Sequence, residues 1–267
     1  MPSAVADVDT IALLVGLCLI YARGLTRAWE RAGRGRLVST PQVLWFGVGV
    51  VALAVALLPP LDTDAASSLT DHMIQHVLLM VVVAPALVMG APLPTLLWAL
   101  PDRWRRRAIG RWRAVLRTRS GPAWAVWAGA TLVVQAGVMW AWHAPLLYRA
   151  ALHHAPLHLL EHATFVVSAG LFWWAIGLGR GQRRGAAVPI VFVAALPGTA
   201  LGAAMTLTTR IWYPEYPDLA DQQMAGVVMW AFGGLVYVLA AAALFGAWLA
   251  AADRATPARS VTAGVAS

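Results

Sequence analysis

Seven apolar runs, each close to the length needed to cross a bilayer, occupy most of this chain. They cover about residues 8–25, 42–58, 71–90, 122–142, 157–178, 186–209 and 224–250. A helix needs about 20 apolar residues to span the hydrocarbon core. Lipid offers no hydrogen bonds, so such a run must satisfy its backbone internally, as a helix does. The balance agrees: 60% of residues are hydrophobic and 12% charged, against about 25% charged in a soluble domain. The expectation is an all-α polytopic membrane protein, with one seven-helix domain over residues 1–250 and a disordered cytoplasmic tail over 251–267.

Charge gives the orientation. All twenty basic residues are arginine, which excludes a lysine Schiff base and with it retinal or pyridoxal chemistry. Eighteen arginines fall in the first, third and fifth loops and the C-terminal tail, and two in the alternate loops. Basic residues favour the cytoplasmic side, so the N-terminus is expected outside and the C-terminus in the cytoplasm of a bacterial cell membrane. The net charge of +8 is thereby a topology signal, and no nucleic-acid partner is expected. The most basic loop, residues 102–120, interleaves eight arginines with Trp104 and Trp112. It reads as an amphipathic linker on anionic headgroups, making membrane lipid a partner.

Several breaks are expected inside this frame. Pro59-Pro60 stops the second run, Pro85 kinks the third, and Pro197-Gly198 breaks the sixth. Gly233-Gly234 is placed to let helices approach closely. Leu96 to Leu100 reads as a short interfacial segment, and the stretch from Pro145 to Pro156 as a loop.

The chemistry lies in the histidines. His72 and His76 are four apart in the first turns of the third run, so they share a helix face. His158 and His162 repeat the spacing at the start of the fifth, with Glu161 between them. With the expected orientation all seven histidines lie on the outer side. Ionisable groups in a span are costly and point by default to function. Imidazole pairs on facing helices build metal sites in bundles. His72, His76, His158 and His162 are therefore the candidate ligands, with His143 and Asp221 as outer candidates. Met73, Met80 and Met139 offer thioethers, while Asp71 and Glu161 are placed to orient imidazoles. Cys18 is the sole cysteine and lies in an apolar run. Without thiolates the donor set suits copper, or equally zinc. His153 and His154 read as an ordinary wet loop. His158-Leu159-Leu160-Glu161-His162 also matches H-x-x-E-H, so a membrane zinc metallohydrolase with Glu161 as general base is the second reading.

Several separated motifs, in one order, resemble the CtaG family of cytochrome c oxidase assembly factors. They are His72-Met73-Ile74-Gln75-His76 through Pro85 to Gly90-Ala91-Pro92, then Trp142-His143-Ala144-Pro145-Leu146-Leu147-Tyr148. His158-Leu159-Leu160-Glu161-His162 and Phe172-Trp173-Trp174 follow. Tyr213-Pro214, Asp221-Gln222-Gln223 with Gly226, and Gly233-Gly234 complete the set. The resemblance implies a membrane protein that is not an enzyme and that helps mature a haem-copper oxidase through copper supply. Oxidase subunits, or another copper chaperone, would be its partners. A haem-binding electron-transfer protein and a transporter are further readings. The transporter lacks an acid in the middle of any span to relay protons. Oligomeric state is not legible in the sequence.

Overall fold

The computed structural model describes residues 4–119, 123–177 and 182–255. All regular structure among them is helical, and seven helices are long and apolar enough to cross a membrane. The first is α1 (Ala4–Ala32). It runs past the expected apolar limit because Arg23, Arg27 and Arg31 continue the helix instead of opening a loop. Arg27 donates to Ala99 O at 2.9 Å, and Arg31 reaches Asp102 at 3.3 Å. Next comes α2 (Thr40–Leu57), opened by a Ser39/Gln42 capping box and closed before Pro59-Pro60. A helical turn at Leu61–Asp64 follows.

The third span, α3, starts as Leu69–Leu78, widens into a π-helical turn at Leu79–Val83 and ends as Ala84–Met89. Pro85 does not break it. The proline sits in the first turn after the wide turn, where a missing N–H costs least. Ala91 then takes a left-handed conformation (φ 46°) and turns the chain into α4 (Pro92–Ala99), which packs along α1. The expected interfacial segment is thus a full two-turn helix. Gly24 makes the α1–α4 packing possible, because a Cβ there would run into Thr95 O.

The basic stretch is a helix, α5 (Asp102–Arg119), not a loop. After it come α6 (Trp124–Trp142) and α7 (Pro145–His153). The latter segment was expected as a loop. Pro145 supplies a helix start, and Tyr148 and Ala151 are buried on its inner face. The remaining spans are α8 (Ala155–Gly177), α9 (Gln182–Leu207) and α10. The last of these runs as Leu219–Val227, a second π-helical turn Val228–Gly233, and Gly234–Ala255. It therefore takes in the start of the expected disordered tail; the remainder of that tail, 256–267, lies outside the described residues. Pro189 and Pro197 sit inside α9 without interrupting it, contrary to the expected break. In lipid a broken helix would strand backbone groups with no water to bond.

The centre of the bundle is α3. Buried residues make up 56% of its spanning window, against 17% for α1. It packs on α2, α8 and α10, while α9 pairs with α10 on the far side. α9 and α10 approach closely at Gly202 and Gly226, where a Cβ on either would strike the other's carbonyl. At Gly233-Gly234, expected to permit close packing, a Cβ on Gly233 meets open space and one on Gly234 would rest 3.7 Å from Thr199 Oγ1. One end of the bundle gathers the starts of α3, α8 and α10 and the end of α6; every histidine lies there.

Candidate metal centre

Two helix starts build the centre. Ser68 caps α3, its hydroxyl accepting from Asp71 N. That fixes the first turn and sends His72 and His76, one turn apart, toward α8. His158 and His162 do the same from α8. His72, His76, Glu161 and His162 are buried and His158 is half-buried. The four rings touch: His72 to His76 at 4.4 Å between centroids, His158 to His162 at 4.2 Å, His72 to His158 at 5.4 Å and His76 to His162 at 5.4 Å. Donor atoms of His72, His76 and His162 all lie within 4.8 Å of one another, and so do those of His72, His158 and Glu161.

The hydrogen bonds assign the lone pairs. The Tyr216 hydroxyl donates to Ala65 O at 2.9 Å. Its oxygen therefore accepts from His72 Nδ1, 3.2 Å away. Neutral imidazole carries one proton, so His72 Nε2 is left with its lone pair and faces His76 Nε2 at 2.9 Å. Burial raises the Tyr216 phenol to about 12, so it stays a neutral donor at physiological pH. This is the outer partner that fixes a ligand's tautomer at metal sites. Glu161 Oε1 stands 3.6 Å from His76 Nε2.

Among the described residues, His76 Nδ1, His158 Nε2, His162 Nε2 and Glu161 Oε1 are buried without a hydrogen-bond partner. Buried polar atoms are ordinarily paired, and each unpaired one costs about 1–3 kcal/mol. Here the four belong to residues whose donor atoms gather in two overlapping sets, each within 4.8 Å. A cation held by imidazole nitrogens and one carboxylate would satisfy them, so the donor set fits a metal ion.

The other candidates divide. His143 lies beside the cluster, its ring 5.6 Å from that of His76. Its Nδ1 donates to Met139 O at 2.8 Å, and its Nε2 faces Met73 Sδ at 3.3 Å. Asp221 does not join the histidines. Its carboxylate accepts from Leu69 N, Thr70 N and Ser68 Oγ, which makes it a cap for α3. It misses the cluster because it sits on the face of α10 turned to the start of α3. Asp71 forms no hydrogen bond or ion pair with the histidines; its backbone N–H is taken by the Ser68 cap. His153 and His154 are exposed; His153 stands 3.9 Å from Glu215, which Arg149 holds at 2.7 Å.

The sequence matches the family described as Cytochrome c oxidase caa3 assembly factor (Caa3_CtaG) over residues 19–251. The chain belongs to this caa3 assembly factor family. The match takes in the second to sixth spans whole, part of the first, nearly all of the seventh, and every residue of the cluster. No curated protein and no solved structure matched the chain. The expected all-helical seven-span membrane protein and the CtaG resemblance both stand.

In this caa3 assembly factor the residue that sequence reasoning missed is Tyr216. Its only signal was a tyrosine two residues past Tyr213-Pro214 in a polar connection. Two further tyrosines close the site: Tyr148 packs 5.3 Å from the His72 ring, and Tyr213 donates to His143 O at 2.7 Å.

Proposed function

We propose that this assembly factor binds copper at the histidine cluster and passes it to a haem-copper oxidase under assembly. The observation that carries the reading is the meeting of two i,i+4 histidine pairs, with His76 Nδ1, His158 Nε2 and His162 Nε2 buried and unpartnered. The arginine distribution supports placing the cluster on the outer side of a bacterial plasma membrane. Copper is cargo here, not a resident catalyst. His72, His76, His158 and His162 hold it, Tyr216 sets the His72 tautomer, and Glu161 supplies the negative charge. Oxidase subunits or a second copper chaperone are the partners, with lipid around the bundle. In this reading the protein is not an enzyme.

The test is metal content of the detergent-purified protein after loading with copper or zinc under reducing conditions. Copper is expected on the wild type and lost in His72→Ala/His158→Ala. Equal metal on both proteins would overturn the cluster.

A second reading keeps a specific observation. Glu161 lies within reach of His72 and His158, as a general base on a zinc hydrolase must. Glu161→Gln separates the two. A hydrolase loses its activity and keeps its metal; an assembly factor keeps most oxidase maturation.

A further inference from the structure

We propose a second copper site, softer than the cluster, formed by His143 Nε2 and Met73 Sδ and taking monovalent copper from an adjoining thioether-lined cavity. It rests on the copper reading above, which supplies the ion.

Proton accounting comes first. His143 Nδ1 donates its hydrogen to Met139 O at 2.8 Å. The neutral ring then has only a lone pair at Nε2. That lone pair faces the Met73 sulfur, itself a weak acceptor, at 3.3 Å. Both residues are buried, His143 at 3% exposure and Met73 at 0%. Two acceptors therefore confront each other away from water with no hydrogen between them. A cation resolves this. Metal–nitrogen and metal–sulfur bonds of the usual lengths put two adjacent ligands about 3.5 Å apart, close to the separation here.

The surroundings point to the same ion. A small cavity of about 50 Å³ lies between α3, α6, α9 and α10. His76 and His143 border it, and so do Met80, Met139 and Met229. No carboxylate lines it; Gln135 and Tyr237 are its other polar side chains, and they bond each other at 2.6 Å. Thioether and imidazole donors without carboxylate or thiolate select monovalent copper over zinc. Two of the helices around the cavity, α3 and α10, carry their π-helical turns there, at Leu79–Val83 and Val228–Gly233. Such turns recur at functional positions. The ring of His76 spans the interval, touching His162 on one side and His143 on the other. The two sites are thus adjacent positions, one imidazole-rich and one thioether-rich, and an ion moves between them with no change of oxidation state.

Anaerobic loading of the full-length protein with Cu(I), and separately with Zn(II), tests this, with X-ray absorption at the metal. Wild type is expected to bind more Cu(I) than Zn(II), with a sulfur neighbour in the Cu(I) spectrum only. Met73→Leu keeps the packing volume. It is expected to lose one equivalent of Cu(I) and the sulfur neighbour while retaining Zn(II), and the retained zinc reports an intact fold. His158→Ala/His162→Ala should do the reverse, losing zinc and keeping sulfur-ligated Cu(I). Unchanged Cu(I) stoichiometry and sulfur signal in Met73→Leu would overturn the second site and leave the cluster standing. Full zinc retention in His158→Ala/His162→Ala would instead remove the cluster and leave this site.

Discussion

Asp221 Oδ2 accepts the backbone N–H of Leu69 at 2.6 Å, joining the first turn of α10 to the first turn of α3 across 152 residues of chain. Its other oxygen takes Thr70 N at 3.0 Å. One carboxylate thus serves two of the amides that a helix start leaves unpaired. It holds the turn from which His72 projects. Asp221→Ala is expected to cost about 0.5–2 kcal/mol of stability, the range for a lost helix cap. Metal stoichiometry should not change. Thermal unfolding with a metal titration on the same sample checks both; a lost equivalent would make Asp221 a ligand after all.

Tyr216→Phe keeps the ring and removes the oxygen that receives His72 Nδ1–H. His72 is then free to carry its proton on Nε2, where a ligand lone pair is needed. Metal affinity should fall about 10- to 100-fold, as for other outer partners of ligand histidines. Competition with a chelator of known affinity reads this directly. An unchanged affinity would detach Tyr216 from the site.

The α9–α10 contact offers a paired comparison. Gly226→Leu drives a side chain into Gly202 O and Thr206, and overpacking of this kind costs about 1–3 kcal/mol. Gly233→Ala, only two turns along, adds a methyl group to open space and should stay within about 0.5 kcal/mol of wild type. Unfolding in detergent compares the two.

At the arginine end, a hydrogen bond from Arg31 to Asp102, with Arg105 nearby, holds the Asp102 carboxyl below the usual carboxylate range. A carboxylate with a depressed folded value stabilises above its unfolded value and loses that contribution as pH falls through the folded one. The link between α1 and α5 should therefore persist down through about pH 4 and loosen only in stronger acid. Hydrogen exchange of α5 amides against pH measures it. Loosening already near neutrality would count against the Arg31 contact.

The spans were legible because lipid imposes one rule on every residue of a run. The same rule explains one misreading. Pro197-Gly198 was taken as a break, but a helix in lipid has no water to replace its hydrogen bonds. Here α9 continues through Pro197, while α3 widens into a π-helical turn just before Pro85. The i,i+4 histidine pairs were legible as faces of single helices. That they face each other is a tertiary fact, and spacing carries no trace of it. Asp221 shows the limit: its position near the histidine end was right, but the direction of its side chain depends on where α3 begins. Likewise α7 was hidden because it has only 9 residues, about two and a half turns, too short for periodicity to separate it from a loop.

Glu161 is the one carboxylate among the described residues that reaches the buried imidazoles. Its consequence is a matter of electroneutrality. In the copper reading the bound ion displaces the Glu161 proton, and neutral imidazoles with that one carboxylate then supply a single negative charge. A monovalent ion cancels it, and a divalent ion leaves one positive charge enclosed by apolar helices. Uncompensated charge in such surroundings is expensive. On the copper reading proposed above, the bundle would sort ions by valence as well as by softness, and the carboxyl group that suggests a hydrolase would also favour a singly charged cargo.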